Sequence, residues 1–392
     1  MNGIELLICL LLLFMSVPDF CRRIGRRALS FPLFVVIGVA LGPLLREDLK
    51  TLLMEAGNVG FTLLLFEVGL EIELPASAAI RRALRFALPW ALLQYPAVVA
   101  LAGAAGLNLT EALFAAATIT GVSVGMAHAA WKIFPGLDED ERRRCLHVMV
   151  VLETLAILTI GGEAALLKSG LTWLLGAKLL VIVLVIVLVA RAATHVTRLF
   201  QRVLTMTTHW KTHLLVVLVL TVGAAGERLG LAAPKTAFFL GLFMSRVEHE
   251  GKGVEEVIAP ISRQFLIPLF FISLGIQVHI GFVLTVPGLL ALGAAWLILG
   301  VRYLLHRRVL PMGRDPNAFL LLCPNLTMVA LGAATLHEAD APRQHASWLL
   351  LTGVLLSVTS LFLLPATKAE PSGVSQAPKP VPSSARPGSD AI

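Results

Sequence analysis

Apolar runs of about 20 residues recur along this chain from Ile4 to Leu364, and no other feature constrains its folding as much. A helix of that length crosses the hydrocarbon core of a bilayer. The runs are continuous rather than alternating, so they do not fit the strands of a transmembrane barrel. Only 15% of the residues are charged, against roughly 25% in soluble domains, and the mean hydropathy is +0.83. A chain of 392 residues with this makeup cannot hide its apolar surface in one soluble core. The expected fold class is an all-α polytopic membrane protein.

About thirteen spans are read, near residues 3–20, 30–46, 53–74, 86–105, 111–133, 146–167, 170–190, 212–230, 232–247, 262–280, 283–305, 317–336 and 347–365. The eighth and ninth are short and closely joined, which leaves a count of twelve open. Loop charges test the count. Odd-numbered loops carry the basic clusters: Arg22, Arg23, Arg26 and Arg27, then Arg81, Arg82 and Arg85, then Arg142, Arg143 and Arg144. Even-numbered loops hold few, such as Arg46, Lys50 and Arg343. Positive charge collects on the cytoplasmic side, so the N-terminus is expected outside and the C-terminus in the cytoplasm, across a cell inner membrane. The first six and last six spans then enter from opposite sides, with the seventh as a linker. That parity permits an inverted repeat, an arrangement common in secondary transporters. Residues 1–365 form the expected membrane domain, and 366–392, rich in Pro, Ser, Ala and Gly, an expected disordered cytoplasmic tail.

Several function classes fall away. The first apolar run is followed, not preceded, by its basic residues, so it reads as a span rather than a signal peptide. The net charge of +7 lies in short clusters between spans and offers no patch for nucleic acid. Cys9, Cys21, Cys145 and Cys323 have neither disulfide nor metal spacing. No nucleotide-binding motif follows a strand pattern. The histidines, including His128 and His147, are scattered, with no nucleophile and base in a set. An enzyme is not expected, and neither is a cofactor or a bound metal.

Two spans look broken. The fifth reads "AAATITGVSVGMAHAAW", with Thr118, Thr120, Gly121, Ser123 and Gly125 at its middle; the twelfth reads "FLLLCPNLTMVALGAA", with Pro324, Asn325 and Thr327. Proline removes a backbone donor and glycine eases unwinding. Unwound backbone at membrane depth persists only where protein or water satisfies it. Free half-helix ends offer carbonyls to a cation and amides to an anion. The other reading is close helix packing through small residues.

Ionisable residues within spans are costly, about 2.5–3.5 kcal/mol at the bilayer centre on insertion scales. Those present are Glu67 and Glu71 in the third span, Glu153 in the sixth, Lys178 in the seventh and Arg302 in the eleventh. Glu153 stands alone in "VMVVLETLAILTI". Burial disfavours the charged form of a carboxylate, so such a group can take up and release a proton. Arg302 is its expected partner when no cation is bound, either as a switch or as a permanent ion pair.

Several stretches resemble the monovalent cation/proton antiporter family, of the bacterial sodium/proton exchanger and Kef potassium-efflux kind. They are "ALGP" at 40–43, "LLLFEVGLEIEL" at 63–74, "SVGMAHAAWKI" at 123–133, "AAPKTAFFLGLFMSR" at 232–246 and "VEEVIAPISRQFLIPLFFISLGIQVHI" at 254–280. The resemblance covers roughly residues 1–365. It implies a sodium/proton antiporter fold with two crossed broken helices, a core domain moving against dimerisation helices, and a homodimer. It implies exchange of sodium or potassium for protons. Glu153 and Thr154 fall on the family's ion-binding pair and Arg302 on its buried basic residue, while Thr118, Thr120, Ser123, Asn325 and Thr327 fall in the crossed helices.

Two departures stand out. The family's usual cation and proton carrier, an Asp, aligns with Thr154, and the twelfth span has "PNLT" in place of a charged pair. Glu153 is then the sole carrier, displaced by one position, with Glu67 or Glu71 as a possible second carboxylate. The expected function is exchange of a monovalent cation for protons, through oxygen ligands suited to a hard cation. The alternatives are a non-transporting regulatory member of the fold and a proton-coupled carrier of another solute.

Overall fold

In the computed structural model, the described residues are 3–71, 77–169, 210–228, 233–245, 248–249 and 252–364. The expected seventh span with Lys178, and the expected tail at 366–392, lie outside them. The described residues are almost wholly helical. Helices α1 (Gly3–Arg23), α2 (Ser30–Leu41) and α3 (Glu47–Glu71) open the fold. A span broken at Leu93 and Gln94 follows, as α4 (Ser77–Leu92) and α5 (Tyr95–Ala104). Next come α6 (Leu109–Thr120), α7 (Val124–Ile133) and α8 (Glu139–Ser169). The second half supplies α9 (Lys211–Arg228), α10 (Ala233–Met244), α11 (Val254–Ile261), α12 (Ile267–Ile276), α13 (Val286–Arg308), α14 (Leu326–Glu338) and α15 (Arg343–Leu363). The departures from helix include a two-residue antiparallel pairing, Glu248 with Gly253 and His249 with Lys252.

Eight of the described helical segments are long and apolar enough to cross a membrane, among them Glu139–Gly162, Ala318–Glu338 and Arg343–Leu363. The eighth and ninth expected spans are separate helices, α9 and α10. The tenth contains a feature the sequence did not announce. Between α11 and α12 the chain takes one π-helical turn, Ser262–Leu266, flanked by Pro260 and Pro268. Proline withholds a backbone donor and a π turn lets the helix absorb the misfit.

Packing divides the helices into two bundles. In one, α3 lies along α10 and α12, α2 along α12, and α9 along α10. In the other, α4 and α6 pack on α8, α13 and α14 on α15, and α14 crosses α6. The pairings come in matched sets: α2 with α12 mirrors α10 with α3, and α4 with α8 mirrors α13 with α15. This is the inverted repeat written in contacts. Glycine makes the closest approaches possible. A Cβ on Gly38 would strike the Ile272 carbonyl, and one on Gly241 would strike that of Phe66. Helix association in lipid depends on such close backbone packing.

The bundles touch each other through α15 and α2, through α7 and α3, and through the 3-10 turn Arg27–Leu29, which meets both α7 and α15. A polar contact also joins them. Arg26, just after α1, donates to the carbonyls of Leu361 (2.7 Å) and Leu364 (2.8 Å) at the end of α15, and its guanidinium stands 4.7 Å over the Phe362 ring.

Candidate functional site

The two interrupted spans cross inside the second bundle. α6 begins with a reciprocal cap: Asn108 Oδ1 accepts from the Glu111 amide and Glu111 Oε2 from the Asn108 amide, both at 2.9 Å. It stops at Thr120, and Gly121 and Ser123 are extended before α7 starts at Val124. In the other span a short 3-10 helix, Ala318–Leu322, ends at Cys323, and α14 starts at Leu326 after Pro324 and Asn325. Gly121 is required by the crossing itself. A Cβ there would lie 2.8 Å from Ala156 Cβ and 2.9 Å from Met328 Cγ.

Hydrogen bonds tie the breaks together. The Ser123 amide donates to the Pro324 carbonyl at 2.6 Å. The Ser123 and Thr327 hydroxyls meet at 3.2 Å. Asn325 Nδ2 donates to the Ile119 carbonyl at 2.7 Å. Ser357 Oγ on α15 lies 3.3 Å from the Asn325 amide, which donates to it, and 3.2 Å from Asn325 Oδ1.

Glu153 is fully buried on α8. Its Oε2 accepts from the Val124 amide at 3.2 Å, the first amide of α7. A carboxylate suits that position, because a helix N-terminus carries partial positive charge and unsatisfied donors. In the second half, Ser357 holds the corresponding place against the start of α14.

Arg302 on α13 is also fully buried. Its partners are not those expected. Nε donates to Gln94 Oε1 at 2.7 Å, Nη2 to the Ile119 carbonyl at 2.6 Å, and Nη1 to the Leu322 carbonyl at 3.2 Å and more weakly to Cys323 at 3.5 Å. The guanidinium therefore serves the C-terminal carbonyls of both half-helices, where the helix dipole favours a cation. The expected Glu153–Arg302 pair is replaced by separate engagements, the anion at an N-terminus and the cation at two C-termini.

The remaining residues sort by position. Thr118, Thr120 and Thr154 each donate to a carbonyl of their own helix at 2.8 Å, of Phe114, Ala116 and Val150 respectively. Hydroxyl oxygens so engaged keep acceptor capacity. Thr120 and Gly121 border a small cavity, about 60 Å³, between α4, α5, α6 and α8, enough for a few waters. Thr118 faces α14, where it would meet a Cβ on Gly332. Glu67 belongs to the other bundle. Ser262 Oγ donates to its Oε1 and Arg263 Nε to its Oε2, the latter at 2.8 Å. Glu71 closes α3, and its side chain lies outside the described residues.

Two residues escaped sequence reasoning, Gln94 and Ser357, both fully buried. A search of the apolar runs for neutral amides and hydroxyls, not charges alone, would have found them.

The family model described as the transmembrane sodium/hydrogen exchanger matches residues 9–367. The ammonium/proton antiporter subunit AmhT of Alkalihalophilus pseudofirmus is 25% identical over 277 residues, covering 68% of this chain and 69% of that protein. The sodium/proton–potassium antiporter GerN of Bacillus cereus is 23% identical over 266 residues, covering 66% and 67%. Among solved structures, the sodium proton antiporter MjNhaP1 of Methanocaldococcus jannaschii superposes with a TM-score of 0.64 over 92% of this chain and 95% of that one, at 11% identity, a likeness of fold alone. The family and the fold are those of transporters. With two crossed, interrupted spans and a family match across the membrane region, this chain belongs to the sodium/hydrogen exchanger family.

Proposed function

We propose that this protein exchanges a monovalent cation for protons, and that Glu153 carries either one. The observation that carries this reading is the burial of Glu153 at the start of α7, where the two interrupted spans meet. An ionised carboxylate in a dry interior is costly unless a positive charge accompanies it. Arg302 is engaged by Gln94 and by main-chain carbonyls. A proton and a cation each neutralise the Glu153 carboxylate, and each excludes the other, which is coupling. Thr120, Ser123, Thr154, Asn325 and Thr327 offer further oxygens to a hard cation. Arg302 is a fixed charge in this scheme, while Glu67 and Glu71 have no part in it. The cargo is sodium, potassium or ammonium, in keeping with the relatives' names.

Exchange proceeds by alternating access, the α4–α8 and α13–α15 bundle moving against the other. Sparse packing between the bundles supports this. The protein acts as a homodimer in a cell inner membrane, N-terminus outside. A second reading, a non-transporting member, draws on Thr154: where the family carries an acid, this chain has a hydroxyl bonded to its own helix.

Reconstitution in liposomes tests both. Internal pH is followed after pulses of each cation. The wild type is expected to exchange at least one of the three, and Glu153→Gln to fall to the level of empty liposomes. Glu153→Asp, shorter by one methylene, is expected to retain a fraction of the rate. A silent wild type under every imposed gradient would favour the non-transporting reading.

A further inference from the structure

We propose that Gln94 is a positioning residue for exchange: it orients Arg302 across the carbonyl ends of both half-helices and so keeps that cation away from Glu153. This rests on the exchange function proposed above.

Gln94 lies at the break between α4 and α5 with no exposed surface. Its amide is used at both ends. Nε2 donates to the Trp90 carbonyl at 2.6 Å, which fixes the amide plane, and Oε1 accepts from Arg302 Nε at 2.7 Å. A guanidinium is a rigid planar fork, so holding Nε sets the direction of both Nη groups. They point to Ile119 and Leu322, carbonyls in the last turn before each interruption. One amide thereby sets the orientation of the charge that serves both half-helix ends. Span symmetry strengthens the point: the span broken at Gln94 and α13, which carries Arg302, are counterparts in the two repeats, and they meet at the crossing.

Without the amide oxygen, the Nε proton of a buried cation has no acceptor. The carboxylate at the same crossing is Glu153: it accepts from the Val124 amide, and Val124 lies five residues along the chain from Ile119, whose carbonyl Arg302 now holds. A guanidinium released from Gln94 turns toward that charge and occupies it in competition with the transported cation. The loss then falls on apparent cation affinity more than on turnover.

Gln94→Met keeps the volume and removes the acceptor; Gln94→Glu keeps an acceptor oxygen. In liposomes, Gln94→Met is expected to raise the KM for the cation at least about tenfold while kcat stays within about threefold, and Gln94→Glu to recover most of that loss. An unchanged KM, with kcat falling only as folded protein falls, overturns the proposal. A thermal-unfolding cycle in detergent needs no transport. Gln94→Met is expected to lower the midpoint in the wild type and to have little effect in Arg302→Met, or in Arg302→Lys if the former fails to fold. Equal losses in both backgrounds overturn the proposal. A wild type that exchanges none of the three cations overturns the functional reading instead, and the cycle then decides alone whether Gln94 orients Arg302.

Discussion

At the scale of single residues, the crossing works by opposites. Glu153 answers the positive start of one half-helix and Arg302 the negative ends of two. Gly121 matters by having no side chain. Gly121→Ala would drive a methyl against Ala156 and Met328, and overpacking of a tight site costs about 1–3 kcal/mol. A lowered thermal midpoint in detergent, with exchange impaired beyond the loss of folded protein, is the expected result. Much of this site could be read from the sequence, because a carboxylate or a proline in an apolar run is expensive and therefore conspicuous. Glu153, Asn325, Ser123 and Thr327 came to light that way. Gln94 and Ser357 did not, since a neutral polar side chain barely disturbs hydropathy. Glu67 was equally conspicuous, but its place in the other bundle was not legible: its partners Ser262 and Arg263 lie some 195 residues away, where no local pattern reveals them.

At the scale of elements, each half-helix depends on how it begins and ends. α6 is started by the Asn108–Glu111 reciprocal cap, and Glu111 Oε2 also lies 3.0 Å from His345 Nδ1 of α15, at ion-pair distance but out of hydrogen-bond alignment. Losing an N-cap side chain costs about 0.5–2 kcal/mol. Asn108→Ala is therefore expected to lower the unfolding midpoint modestly and leave the cation KM unchanged, since the cap lies a full half-helix from Glu153. Thermal unfolding and liposome exchange, run together, check this. The spans themselves were legible, and their interruptions too, from length, proline and glycine. The π turn at Ser262–Leu266 was not, because prolines at both ends mark a disturbance without saying how the backbone absorbs it.

At the scale of the whole molecule, two bundles share a chain and few contacts. Arg26 bridges them. A hydrogen bond to a charged group contributes about 1.5–3 kcal/mol, so Arg26→Ala is expected to lower stability by an amount in or below that range. If the bundles move against each other, it also changes the exchange rate at saturating cation, which stopped-flow pH measurement would detect. The charge-derived orientation makes a separate forecast. In a chain with its native cysteines replaced, His337→Cys should react with a membrane-impermeant thiol reagent added to intact cells, and Asp140→Cys only after permeabilisation. The reverse pattern would invert the topology. Parity and loop charge made the inverted repeat conceivable from sequence; which helix meets which could not be read, because those pairings join residues from opposite halves.

That interleaving sets an order of birth. The close approach at Gly38 waits for Ile272 and Gly275, and the one at Gly69 waits for Gly241. At about 5–20 residues per second, the first half spends on the order of tens of seconds in the bilayer before its partners emerge from the ribosome. Neither half can mature early. A chain truncated in the middle would leave helices with glycine-lined faces and nothing to lie against, and such fragments are natural prey for membrane proteases.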